Sequence, residues 1–133
     1  MTAKIRDVAE ECTRASDEDR MSFPQVLGAL VEAGIEGYLC DLRRATKTYY
    51  LPDGTCIETA AAGVGRLVAE PFDAAAVESA VRRSQGGTQT YREFCERVAA
   101  AGCAGYLVSL PGRRVLYFGR TGDTHTEHFP AAP

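Results

Sequence analysis

Hydrophobic positions along this chain follow a helical period, switch to strand alternation, and then run through the same series again. Residues 3–15 carry Ile5, Val8, Ala9 and Cys12 on one side and Arg6, Asp7, Glu10, Glu11 and Arg14 on the other, the spacing of a helix with one buried face. Phe23, Val26, Leu27, Leu30 and Val31 repeat that spacing, so all five are expected on a buried stripe. Ahead of them Ser22-Phe23-Pro24-Gln25 fits a capping box, in which the hydroxyl and the glutamine satisfy backbone N–H groups of the first turn. Gly34 follows where a left-handed residue ends a helix at little cost. Tyr38, Cys40 and Leu42 then alternate with Leu39, Asp41 and Arg43, which predicts a strand. Arg43-Arg44-Ala45 turns into a second strand over Thr46–Leu51, and Pro52-Asp53-Gly54 into a third over Thr55–Thr59.

The series recurs without a gap at an offset of 68 residues. A helix over Asp73–Ser84 answers to the first one. Thr90-Tyr91-Arg92-Glu93 is again a capping box, Tyr91, Phe94, Cys95, Val98 and Ala99 form the second stripe, and Gly102 stands in the place of Gly34. Tyr106, Val108 and Leu110 restart the alternation. Leu110-Pro111-Gly112-Arg113 reads as a type II turn with Gly112 at its positive φ, leading into strands over Arg114–Gly119 and Thr124–Phe129. Between Ser22–Gly54 and Thr90–Gly122 only eight of 33 positions are identical, yet they mark the helix end, the strands and the closing turn. The fold expected is therefore one α+β domain over residues 1–133, built of two tandem ααβββ repeats related by a pseudo-twofold, with helices packed on antiparallel sheet. Repeat one covers about 3–59, a linker about 60–71 and repeat two about 72–129. The pattern leaves open whether the two meanders join or face each other. Gly63 and Gly65 suggest a sharply bent or mobile linker, and Ala131-Ala132-Pro133 a frayed end.

Length fits this picture, since two half-domains of about 65 residues are each marginal alone and share a core more easily than they fold apart. A net charge of −3 and a pI near 5.4 give no general attraction to nucleic acid. No apolar run approaches the roughly 18 residues of a membrane span and the first residues lack a signal-peptide core, so a cytosolic location without membrane partners is expected. Five cysteines, an odd number without a Cys-x-x-Cys pair, are expected to be reduced and to act as small apolar residues. No cofactor or metal site is called for.

Four features bear on chemistry. Gly63-Val64-Gly65 resembles a phosphate loop only superficially, because the third glycine of a dinucleotide fingerprint would fall on Val68. His125, Glu127 and His128 form the sole imidazole–carboxylate cluster, but strand alternation puts His125 and Glu127 on one face and His128 on the other. Arg43-Arg44 and Arg113-Arg114 recur near the first strand turn of each half. About a pseudo-twofold they could converge on an anion, with Lys47 and Arg120 nearby and Tyr49, Tyr50 and Tyr117 as stacking faces. The alternative is that the arginines are solvated and the aromatics are core pairs. Finally, the two copies disagree at Cys40/Val108, Asp41/Ser109, Lys47/Val115 and Ile57/His125, the positions that shared architecture does not explain. The leading expectation is a non-catalytic module that holds an anionic small molecule or a protein partner at the seam between its repeats. The alternative is a small enzyme acting on an anionic substrate with His125, Glu127 or His128 and arginines.

Arg43-Arg44-Ala45-Thr46-Lys47-Thr48-Tyr49-Tyr50-Leu51-Pro52-Asp53-Gly54, the run from Phe94-Cys95-Glu96 to Tyr117-Phe118-Gly119 and the closing Glu127-His128-Phe129-Pro130 resemble the YbcV-like family of uncharacterised bacterial and prophage proteins, often labelled phage envelope protein. The similarity spans roughly residues 20–130. It implies membership of that family and no particular activity.

Overall fold

The computed structural model describes residues 2–130, and the end at 131–133 lies outside them. Helices α1 (Thr2–Asp17) and α2 (Phe23–Ala33) precede strands β1 (Gly37–Asp41), β2 (Thr46–Tyr50) and β3 (Cys56–Ala60). Helices α3 (Ala74–Gln85) and α4 (Tyr91–Ala100) precede β4 (Cys103–Ser109), β5 (Arg114–Gly119) and β6 (Thr124–His128). Both capping boxes form: Ser22 Oγ and Thr90 Oγ1 accept from Gln25 and Glu93 N–H, and those side chains accept from the cap N–H in return.

The repeat is carried by the backbone more faithfully than by the side chains. Among the described residues every left-handed one has a partner 68 positions away: Asp19 with Gly87, Gly34 with Gly102, Ala45 with Arg113, and Gly54 with Gly122. The third pair corrects the expected type II turn. The residue at positive φ is Arg113 (φ 51°) rather than Gly112, as Ala45 (φ 57°) is in the first copy. Both turns are fixed from the same place, Asp41 Oδ1 accepting from Arg43 and Arg44 N–H and Ser109 Oγ from Gly112 N–H.

The two meanders join into one antiparallel sheet of order β3-β2-β1-β4-β5-β6. At its centre β1 pairs with β4 so that Leu39 faces Leu107, its own counterpart, and Gly37 and Asp41 face Ser109 and Gly105. The pseudo-twofold axis therefore passes through the Leu39–Leu107 pair. Helices cover one face, α1 over β3, α3 over β6 and α4 over β4. On that face the register aligns Ile57, Tyr49, Tyr38, Val108, Val115 and Glu127 in one row across the sheet, and Thr59, Lys47, Cys40, Tyr106, Tyr117 and His125 in the next.

Two expectations of burial are corrected. On α2 only Val26 and Leu30 are fully buried, while Leu27 is half-buried, Phe23 is 42% and Val31 63% exposed; the matching positions of α4 are better covered, Ala99 (for Val31) completely, Cys95 (for Leu27) nearly so and Tyr91 (for Phe23) in part. The linker makes the difference, because it runs along α4 and not along α2. Ala69 N–H donates to Ala99 O and Asp73 N–H to Ala101 O, and Val68 is buried against Ala99 and Ala104. Arg120 donates to Val68 O from the other side, so the linker is a fastened strap. Second, Cys12, Cys40, Cys95 and Cys103 are buried free thiols, but Cys56 is exposed, because β3 is an edge strand and Cys56 points away from the helices.

Candidate functional site

The two arginine pairs do not converge. Because β1 and β4 are antiparallel about the central axis, Arg43 and Arg44 leave one end of the sheet and Arg113 and Arg114 the other, roughly 15 Å apart along a five-residue strand. Arg44 lies 3.7 Å from Glu58, Arg113 donates to Pro130 O and Arg114 to Gly112 O. Tyr49 and Tyr117 are pseudo-symmetric core rings: Tyr49 packs on Tyr38 and its hydroxyl is 2.8 Å from Thr13 Oγ1, while Tyr117 packs on Phe94 and Tyr106.

His125 and Glu127 share the helix-facing side of edge strand β6, and His128 is exposed on the other side, as alternation requires. His125 Nε2 lies 2.6 Å from Glu127 Oε2, and Arg82 of α3 donates to Glu127 Oε1 at 2.9 Å. Burial pushes the Glu127 carboxyl up, but Arg82 and His125 together outweigh it, and the net displacement is below the ordinary carboxylate range. Both Glu127 oxygens are thus engaged, and the cluster clasps α3 to the sheet edge.

Lys47 is in a different position. Alternation along β2 turns it, with Tyr49, toward the helices, and the cross-strand register sets it beside Cys40 on β1 and Thr59 on β3. It is 2% exposed. Its Nζ lies 4.4 Å from the centroid of the Tyr91 ring and 5.6 Å from that of Tyr38, a two-sided cation–π setting. Among the described residues no carboxylate comes within ion-pairing distance and no group accepts a hydrogen bond from it. Yet among those residues no side-chain nitrogen or oxygen sealed from solvent lacks a partner. Both hold only if the ammonium keeps a sliver of access to the outside.

Tyr91, whose ring lies over the Lys47 ammonium, also lines a cleft. Its ring stacks on Phe94, its hydroxyl is hydrogen-bonded to Tyr106 at 2.5 Å and lies 3.7 Å from Cys40 Sγ, and another part of it faces that cleft, of about 650 Å³. The cleft sits at the seam, bounded by Asp17 at the end of α1, linker residues 62–66, and Tyr91, Arg92, Cys95 and Glu96 of α4. Its acids are largely spent on backbone: Asp17 Oδ2 accepts from Ala62 N–H, Glu96 Oε1 from Gly65 N–H, and Glu93 Oε1 from Thr90 N–H. Arg92 carries no such partner among the described residues and is exposed at the rim. Burial pushes the neighbouring Cys95 thiol up to about 12 and raises Cys40 and Cys12 as well, with Lys47 acting in the opposite sense on all three. These thiols stay protonated near neutral pH, which leaves the Lys47 ammonium uncompensated.

Of the residues expected at a site, the structure brings Lys47 next to the seam and disperses the arginines. The comparison of copies had pointed to Lys47 and Cys40; Asp17, Tyr91 and Cys95 gave no sequence signal beyond helix periodicity, because a loop from elsewhere in the chain turns them into cleft walls.

Duplicated ααβββ units joined in one half-covered sheet, with a cleft under a linker strap, define the class of this molecule as a two-layer α+β pseudodimer. Residues 11–127 match the family described as "Protein of unknown function (DUF1398)", and the chain belongs to that family. It is similar to an "Uncharacterized protein" of Mycobacterium bovis and to one of Mycobacterium tuberculosis, each 29% identical over 110 residues, which are 82% of this chain and 67% of the relative. These descriptions name no activity and carry no phage label. No helix among the described residues is long and apolar enough to cross a membrane.

Proposed function

We propose that the protein is a binding module for a small organic anion of the carboxylate class, held in the seam cleft with its charge directed at Lys47. The observation that carries this is the buried, unbonded ammonium behind Tyr91. An unpaired charge in the interior costs several kcal/mol, and a protein retains such a group where a ligand supplies the missing counter-charge. The Tyr91 ring both lies over Nζ and lines the cleft, so on this reading it is the group that moves aside to admit the anion. Arg92 at the rim gives a second cationic contact, and Val64 and the Tyr91 ring suit an apolar or aromatic body.

The test is a thermal-shift panel of aliphatic and aromatic mono- and dicarboxylic acids, with calorimetry on any hit. A ligand at a hundred times its dissociation constant stabilises by about 2.7 kcal/mol, on the order of 10 °C for a chain of this length. The shift is expected to vanish in Lys47→Met and to survive in Arg113→Ala/Arg114→Ala, which lies at the far end of the sheet. A panel that stabilises nothing, or a hit that Lys47→Met retains, defeats the proposal.

A further inference from the structure

The internal repeat supplies its own control for what should cover α2. On α4, strap residues 62–69 lie along the helix, Val68 buries Ala99, and Gly65 N–H reaches Glu96. At the corresponding place on α2 stand Val31, 63% exposed, and Gly28, with open space where a side chain would go, while Phe23 next to them is 42% exposed. The path toward this face is nevertheless begun, because Phe129 N–H donates to Arg113 O just as Ala61 N–H, 68 residues earlier, donates to Ala45 O. Phe129 then meets the edge of Phe23, ring centroids 6.1 Å apart. Beyond that contact α2 presents Phe23 and Val31 as an exposed apolar strip, with Leu27 on the turn between them half-buried against the core.

The strap itself has a second side. With Val64 and Val68 turned inward, Leu67 is 90% exposed, the most exposed large apolar side chain of the described residues. Arg66 precedes Leu67, and Glu32 follows Val31, both exposed. The chain therefore displays on its strap one almost fully exposed apolar side chain, Leu67, with a cation beside it, and on α2 an exposed apolar strip with an anion beside it. We infer that the occupant of the α2 strip is the strap of a second copy, Leu67 lying on Phe23 and Val31 with Arg66 against Glu32. The pseudo-twofold sets α4, with its strap, and α2 in corresponding places about the central axis. A twofold operator between copies pairs each strap with the other α2, closing both contacts in a dimer.

Sedimentation velocity from micromolar to near-millimolar concentration tests this on the full chain. Reversible dimerisation is expected, with Leu67→Asp and Val31→Asp each raising the dissociation constant at least about tenfold. Both positions are solvent-exposed in the monomer, so unchanged circular dichroism and Tm will show that the fold is intact. Arg66→Glu and Glu32→Arg should each weaken the dimer, and the double exchange should restore it. A wild type that stays monomeric throughout, or a dimer indifferent to Leu67→Asp, overturns the inference. So does failure of the double exchange to recover what the single exchanges lose.

Discussion

Gly34 and Gly102 end equivalent helices in the same backbone conformation, φ 80° and 92°, but only one of them lies beneath the strap. Replacing each by alanine separates the strap's contribution from that of the helix end. At Gly34 a Cβ meets nothing within 4 Å, so Gly34→Ala costs only the left-handed strain, about 1 kcal/mol after the gain in unfolded-chain entropy is counted. At Gly102 the Cβ would fall 2.0 Å from Pro71 O, 2.7 Å from Pro71 C and 2.8 Å from Phe72 Cα, all backbone atoms. Relief requires Pro71-Phe72 to lift by more than an ångström, on the order of the shortfall from ordinary van der Waals contact. That movement breaks the bonds from Ala69 N–H to Ala99 O and from Asp73 N–H to Ala101 O, about 1 kcal/mol each, and loosens Val68, worth about 1–2 kcal/mol more. Gly102→Ala is thus expected to cost about 4 kcal/mol against about 1 for Gly34→Ala. With an unfolding entropy near 0.28 kcal/mol/K for 133 residues, the melting temperatures fall by about 15 °C and about 4 °C. Urea unfolding followed by circular dichroism measures both. Equal costs, within about 0.5 kcal/mol, would refute the seating of the strap on the end of α4.

Three further outcomes follow from the site and its surroundings. Lys47→Met should raise stability by about 1–2 kcal/mol, because an unpaired buried charge is exchanged for an apolar side chain of similar length and only the cation–π attraction is lost; a lower melting temperature would mean that the ammonium is compensated. A chromogenic disulfide reagent near neutral pH should titrate one thiol, Cys56, in the native protein and the other four only on unfolding, so rapid loss of two or more thiols would contradict the burial described. Glu127, whose folded pKa is depressed, contributes stability that is present above its unfolded value of about 4.3 and lost as pH falls through the folded value. Glu127→Gln should therefore melt several degrees lower at pH 7, and the gap should close as pH falls through the depressed folded value; a gap independent of pH would remove the ion pairs as its cause.

The architecture was readable because its signals are local. Capping boxes at Ser22 and Thr90 and the glycines at 34 and 102 dictate where helices begin and end whatever surrounds them. In the turn after β4 the positive φ falls on Arg113, as it falls on Ala45 in the first copy; neither residue type favours that conformation, so the glycine at 112 is the stronger local signal and the wrong one. Phe23 and Val31 were expected in the core because periodicity reports which side of a helix is apolar, not whether anything covers it. The arginine pairs failed for a non-local reason, since the direction in which a turn points depends on how β1 meets β4. Lys47 stood out as a cation near the arginine pairs and, independently of them, through the mismatch with Val115. One member of a duplicated pair had been exchanged for a residue that core packing alone disfavours.

A strand that pairs antiparallel with its own counterpart, residue 39 against residue 107, is the contact two identical chains make across a dyad. Seen so, the strap is a tether that turns an encounter between separate molecules into an event within one, with the effective concentration a short connection provides. Its deeper effect is on inheritance. A homodimer must carry every substitution twice, and two uncompensated ammoniums in one interior would be a heavy burden on so small a core. Once the halves share a single chain each is released to change alone, and a lysine in one and a valine in the other become possible.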